Sequence, residues 1–133
     1  MAAGSVTETP YEIGNIRKIR FEGVANSSDG LLAAHTVTKK FEGRLIQLVT
    51  DPDETTPPDN LYDLTITNGL GADVLCGVGA NRSSTDAELA AVVFSGTSVH
   101  PVVKESDTLI LNFSGSTKNS AEFTADLYYA LGG

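Results

Sequence analysis

The sequence predicts an all-β protein, a β-sandwich or small jelly-roll-like barrel with one short helix. Three observations carry this reading. Apolar and polar residues alternate with a period of two in segment after segment, the pattern of strands with one buried face. Clusters of Gly, Pro, Asn, Asp and Ser punctuate those segments at short intervals. The composition is that of an ordinary globular chain, 133 residues with 41% hydrophobic and 20% charged, enough for one core.

Taken in order, the first twelve residues are rich in Thr and Ser and carry Pro10, so they read as an arm (1–12) ahead of one β domain (13–133). Within that domain Arg17 to Gly23 is a strand with Ile19 and Phe21 inward. The run Asn26 to Gly30 is a flexible loop, followed by strands over His35 to Phe41 and Arg44 to Thr50, with Phe41 to Arg44 as a tight hairpin between them. Asp51 to Asp59, acidic and proline-rich, cannot continue a sheet. In Leu61 to Thr67, Tyr62, Leu64 and Ile66 share one face. Asn68-Gly69 signals a two-residue hairpin turn, because both residues tolerate positive φ. Val74 to Val78 is apolar and strand-like, with Cys76 inside it. Ser84 to Val93 reads as the helix: Ser84 or Thr85 caps it, Asp86 and Glu88 occupy the first turn, and Leu89, Val92 and Val93 form a stripe. Strands then cover Thr108 to Ser114 (Leu109, Leu111 and Phe113 aligned) and the stretch from Glu122 to Tyr129, with Gly115 to Asn119 closing the last hairpin. The expected total is about eight strands.

Charge and cysteine usage narrow the function. A net charge of -8 repels phosphate backbones and anionic membrane surfaces, so neither nucleic acid nor membrane is an expected partner. The single cysteine excludes an internal disulfide. The N-terminus lacks the charged and apolar regions of a secretion signal, and the expected site of synthesis is a cytoplasm.

No residue set reads as catalytic, and no cofactor is expected. His35, His100 and Cys76 give three soft ligands far apart, short of a zinc site. Cys76 lies among apolar residues, where a thiol behaves as a small hydrophobe. His100, before Pro101, reads as an exposed turn residue. Asp51, Asp53, Glu54 and Asp59 would suit a hard cation, but lack the spacing of a calcium loop and read as a solvated acidic loop. Gly69-Leu-Gly71 and Gly77-Val-Gly79 lack the third glycine and the strand-turn-helix context of a dinucleotide site. Arg82, a lone cation after a glycine-rich bend, is expected to form an ion pair within the domain or across a subunit contact.

The block Asp59 to Ser83, DNLYDLTITNGLGADVLCGVGANRS, resembles a family of small virion proteins encoded among the head genes of tailed bacteriophages. Ala3 to Thr9 (AGSVTET), Arg17 to Phe21 (RKIRF), Gly43 to Thr50 (GRLIQLVT) and the closing Leu127 to Tyr129 (LYY) are also similar to family positions. Leu61 before Tyr62, and Asn68 to Gly71 in place of an acidic turn, depart from the family pattern and bear on the turn geometry.

The resemblance implies a capsid decoration, or cement, protein on the outer face of the major capsid lattice, with a neck or tail component as the alternative within the virion. It also implies a homo-oligomer, with a trimer favoured. Such a role needs a rigid β module and elements that contact a neighbouring chain. The expected contact residues are Ser5, Val6 and Thr7 of the arm, Asp51, Asp53 and Glu54 of the acidic loop, and Arg82. From another class, a glycan-binding or adhesin module is weakened by the absence of Trp.

Overall fold

The computed structural model describes residues 4–131. Among them lie nine strands and no helix: β1 (Ser5–Tyr11), β2 (Ile16–Val24), β3 (His35–Thr36), β4 (Gly43–Pro52), β5 (Asp63–Thr67), β6 (Glu88–Ala91), β7 (Val102–Val103), β8 (Ile110–Ser114) and β9 (Glu122–Ala130). They form two antiparallel sheets that do not close into a barrel. The larger runs β1-β2-β9-β4-β6, with β7 also on β4, and the smaller runs β3-β8-β5. Because β9 occupies one side of β4 along its length, β6 and β7 share the other side end to end.

The alternating residues face one common core. Ile19 and Phe21 of β2, Leu45 and Leu48 of β4, and Phe123, Ala125, Leu127 and Tyr129 of β9 meet Leu64 and Ile66 of β5 and Leu111 of β8. The inward phase of β4 changes after Leu45, and a bulge between Leu45 and Gln47 explains it: one extra residue flips the faces that follow. Aromatic rings tie the sheets together. Phe113 stacks on Phe123 at 4.9 Å with 9° between the planes, and Tyr62 approaches both at 5.8 and 6.0 Å. Gly23, register partner of Phe123, makes room for this ring: a Cβ there would lie 2.4 Å from it.

Several local expectations give way to tertiary pairing. Ser84 to Val93 is not a helix. Ser83 Oγ does accept the N–H groups of Thr85 and Asp86, as a cap would. The chain then extends as β6, with Val92 fully buried and Leu89 exposed. A single short helix is marginal in water, whereas the open side of β4 offers a ready hydrogen-bond ladder. The strand expected over His35 to Phe41 contracts to His35–Thr36 and belongs to the small sheet. Phe41 to Arg44 therefore passes between sheets and is no hairpin. Gly115 to Asn119 likewise crosses from β8 to β9 in the other sheet.

The turn at Asn68 is wider than two residues: Asn68 donates to Ala72 O and Gly71 to Asn68 O, with positive φ at Gly71 and not at Gly69. Val74 to Val78 is a chain of turns in which Cys76 takes φ +56°, not a strand. Residues 5–11, expected within an arm, are strand β1, paired through seven positions with β2; residues 1–3 lie outside the described segment.

The β1 edge is fastened by a buried charge. Glu8, with 7% of its side chain exposed, accepts the N–H groups of Thr38 at 2.8 Å and Lys39 at 3.1 Å, and the Nε2–H of His35. Burial works to raise the Glu8 pKa, but these donors outweigh it and hold the carboxyl below its ordinary 4.5. Folding thus favours the ionised form, so this stabilisation is complete above pH 4.5 and lost as pH falls through the folded value. Glu8→Gln should lower stability at neutral pH by about 1 to 3 kcal/mol. Thermal melts across a pH series should also show a shallower acid limb for the variant.

Thr50 Oγ1 and Tyr62 Oη are buried without a hydrogen-bond partner. Burial pushes the Tyr62 phenol up to about 12; the Thr50 hydroxyl draws it slightly back, from outside good hydrogen-bond geometry. Removing both hydroxyls removes two desolvation penalties and no strong bond. Chemical denaturation of Thr50→Val combined with Tyr62→Phe should show no loss of stability, or a gain of up to about 1 kcal/mol.

Candidate partner-binding groove

The outward faces of β1, β2, β9 and β4 form rows across the large sheet. Tyr11, Lys18, Tyr128 and Gln47 make one, and Thr9, Arg20, Asp126 and Val49 the next. Arg20 grips Asp126 through two bonds of 2.9 and 3.0 Å, and Lys18 approaches the same carboxylate at 3.7 Å. Lys18 also lies 4.4 Å from the Tyr11 ring centre, a cation-π contact. Lys18 and Arg20 are thereby occupied.

The third row, Thr7, Glu22, Thr124 and Asp51, opens into a groove of about 360 Å³. Val24, Asp53, Glu54 and Glu122 extend it. Five carboxylates line it (Glu22, Asp51, Asp53, Glu54 and Glu122), and no Lys, Arg or His does. Strands fix most of its walls: contrary to the expectation that the sheet stops before Asp51, β4 runs on through Asp51 and Pro52, paired with Thr124 and Phe123 of β9. The acidic loop beyond is ordered by its own side chains. The Asp53 carboxylate accepts the N–H groups of Thr55 and Thr56, which hold its pKa below the ordinary range. Asp53 N–H donates to Glu122 O, and Glu122 N–H to Thr56 O, continuing the β9 ladder into the loop. Among the described residues no three of His, Cys, Asp and Glu converge as metal ligands. What this concavity can do is receive a cationic, hydrogen-bond-donating segment.

Of the residues picked out in the sequence, Thr7, Asp51, Asp53 and Glu54 meet here. Ser5 adjoins the groove through its partner Val24, while Val6 turns toward the core. Glu22, Glu122 and Thr124, which no charge run or motif marks in the sequence, join them from the outward faces of β2 and β9. Arg82 lies elsewhere. It bridges Tyr62 through the backbone, donates to Ala80 O, and pairs with Glu88 at 3.8 Å. His100 is half-buried, its Nδ1 2.7 Å from Val92 O, rather than an exposed turn residue. Burial, assisted by Asp73, raises the Cys76 thiol pKa, so little reactive thiolate forms at neutral pH.

No family model, curated protein or solved structure matches the chain.

The Arg82–Glu88 pair satisfies the expectation of an ion pair within the chain, but it is long and Glu88 is 35% exposed. Solvent screening limits such a pair to about 0.2 to 1 kcal/mol. Arg82→Ala should therefore lower stability by less than about 1 kcal/mol in a denaturant titration.

Proposed function

We propose that this chain is a β-sandwich structural protein of a tailed-phage virion, seated on the outer face of the capsid lattice as a decoration protein. The observation that carries the binding role is the groove. Thr7 of β1, Asp51 of β4, and Asp53 and Glu54 of the loop after β4, with more than forty residues of sequence between β1 and the others, line one acidic concavity on the sheet. The likeness of Asp59 to Ser83 to head-gene virion proteins supplies the setting. In this reading the groove takes a basic segment of the major capsid protein. Copies of the chain, as a homo-oligomer for which the resemblance favours a trimer, multiply modest contacts over a symmetric shell.

The experiment is reconstitution on purified shells lacking the protein, with occupancy read by cryo-electron microscopy. Neutralising Glu22, Asp51 and Glu54 together (to Gln, Asn and Gln) should leave the melting temperature nearly unchanged. Occupancy should fall by about tenfold or more, and binding by the unmodified chain should weaken with added salt. Equal occupancy by the triple variant would overturn the groove as the contact. Density at the portal or tail in place of the shell would move the protein to the neck or tail. Absence from the particles would end the virion reading.

A further inference from the structure

The two edges of the large sheet are treated differently. Edge strand β1 carries two devices that discourage pairing with another chain: an inward-turned charge, Glu8, against which residues 35–39 fold, and Pro10, which has no N–H. At the opposite edge β6 has neither. Leu89 is 69% exposed, Ala91 is exposed beside it, and Phe94, Val99 and Val102 add exposed apolar surface nearby. Its one charged residue, Glu88, is engaged by Ser83 N–H at 2.6 Å and by Arg82. The segment also has a helix-favouring composition yet is held as a strand. Such a conflict between local preference and fold is expected where function constrains the chain.

We infer that β6 is a self-association edge, pairing antiparallel with β6 of a second copy about a two-fold axis at Ala90. The backbone fixes the register. Val92 donates its N–H to Ile46 O at 3.1 Å, so by alternation Ala90 and Glu88 also face β4. Leu89 and Ala91 then direct both N–H and C=O to the open side. With the axis at Ala90, Leu89 lies opposite Ala91 of the second copy and Ala91 opposite its Leu89, so all four free groups of each strand find partners. The large side chain meets the small one in both pairs, on the same outer face as Val49 and Gln47. Glu88 falls opposite Val92 of the second copy, so the pairing brings no two carboxylates together. For chains of net charge -8, this edge, whose one carboxylate is already engaged by Arg82, is where two copies approach with little local repulsion. A second copy is thus a better fit than a charged partner strand. The pairing is short, so association is concentration-dependent. The inference concerns the free chain and does not rest on the capsid reading.

Sedimentation velocity on the full chain over a concentration series tests it. The expected result is a reversible monomer–dimer equilibrium that Leu89→Lys weakens by about tenfold or more with an unchanged melting temperature. In a Cys76→Ser background, Ala90→Cys should form a disulfide-linked dimer under mild oxidation, since residue 90 faces itself across the axis, whereas Ala91→Cys should not. A chain that stays monomeric at every concentration would overturn the inference. So would a dimer or trimer indifferent to Leu89→Lys, or cross-linking at 91 and not at 90.

Discussion

Phe123 is the residue on which the two sheets depend. It sits on β9, the central strand of the large sheet, and its ring reaches across the core to stack on Phe113 of the small sheet. It does so by lying over Gly23, where any side chain would displace it. A three-stranded sheet with short members gains little from its own hydrogen bonds and persists because one face is covered. The contacts among Tyr62, Phe113 and Phe123, with Phe41 against Tyr129 at 4.4 Å further along, supply that cover. Removing a buried Phe of this kind costs about 3 to 5 kcal/mol, a large share of the stability of a small domain.

With the inner face of the large sheet committed to the core, its outer face is free to carry charge, and it does so in order along the strands. Lys18 and Arg20 converge on the single carboxylate of Asp126, which leaves the Tyr11 end with an excess of positive charge. The carboxylates at the Thr7 end have no such cations among them. The face is therefore polarised, and the unneutralised end coincides with the concavity. A groove built largely on paired strands keeps its carboxylates in place before a partner arrives, so little side-chain or loop entropy is lost on binding.

The parts legible in the sequence are those governed by the residue-to-residue pleat. Tyr62, Leu64 and Ile66, or Phe123 through Tyr129, alternate because each strand has a wet and a dry side, and that alternation needs no knowledge of the partner strand. What escaped was decided by partners distant in sequence. The sheet to which His35–Thr36 belongs, and hence the absence of a hairpin at Phe41 to Arg44, follows from pairing with Leu111 and Ile110. Glu88 to Ala91 became a strand because β4 had an open side. For the groove, Asp51 at the end of β4 and Asp53 and Glu54 of the loop after it stand out in the sequence as a charge run. Glu22 and Glu122 read as ordinary outward residues in the sequence; the pairing of Glu22 and Asp51 with Thr124, and the bond from Asp53 N–H to Glu122 O, set them on one wall.

The acidic groove and the β6 edge follow opposite electrostatic rules, which keeps their roles separable. Attraction between the carboxylates and a cationic segment extends over several ångströms in water and is screened as ions are added. Contact along β6 has no attractive charge term; it relies on apolar surface and backbone hydrogen bonds, and the net charge of -8 on each copy opposes it. Screening therefore weakens the first and relieves the second. At low ionic strength the chain is repelled from its own copies and drawn to basic surfaces. On the two proposals, a rise in salt favours self-association over capture of a cationic partner. A single sheet thus presents two surfaces whose balance depends on the ionic medium, because one strand end gathers unneutralised carboxylates while the far edge carries almost no charge.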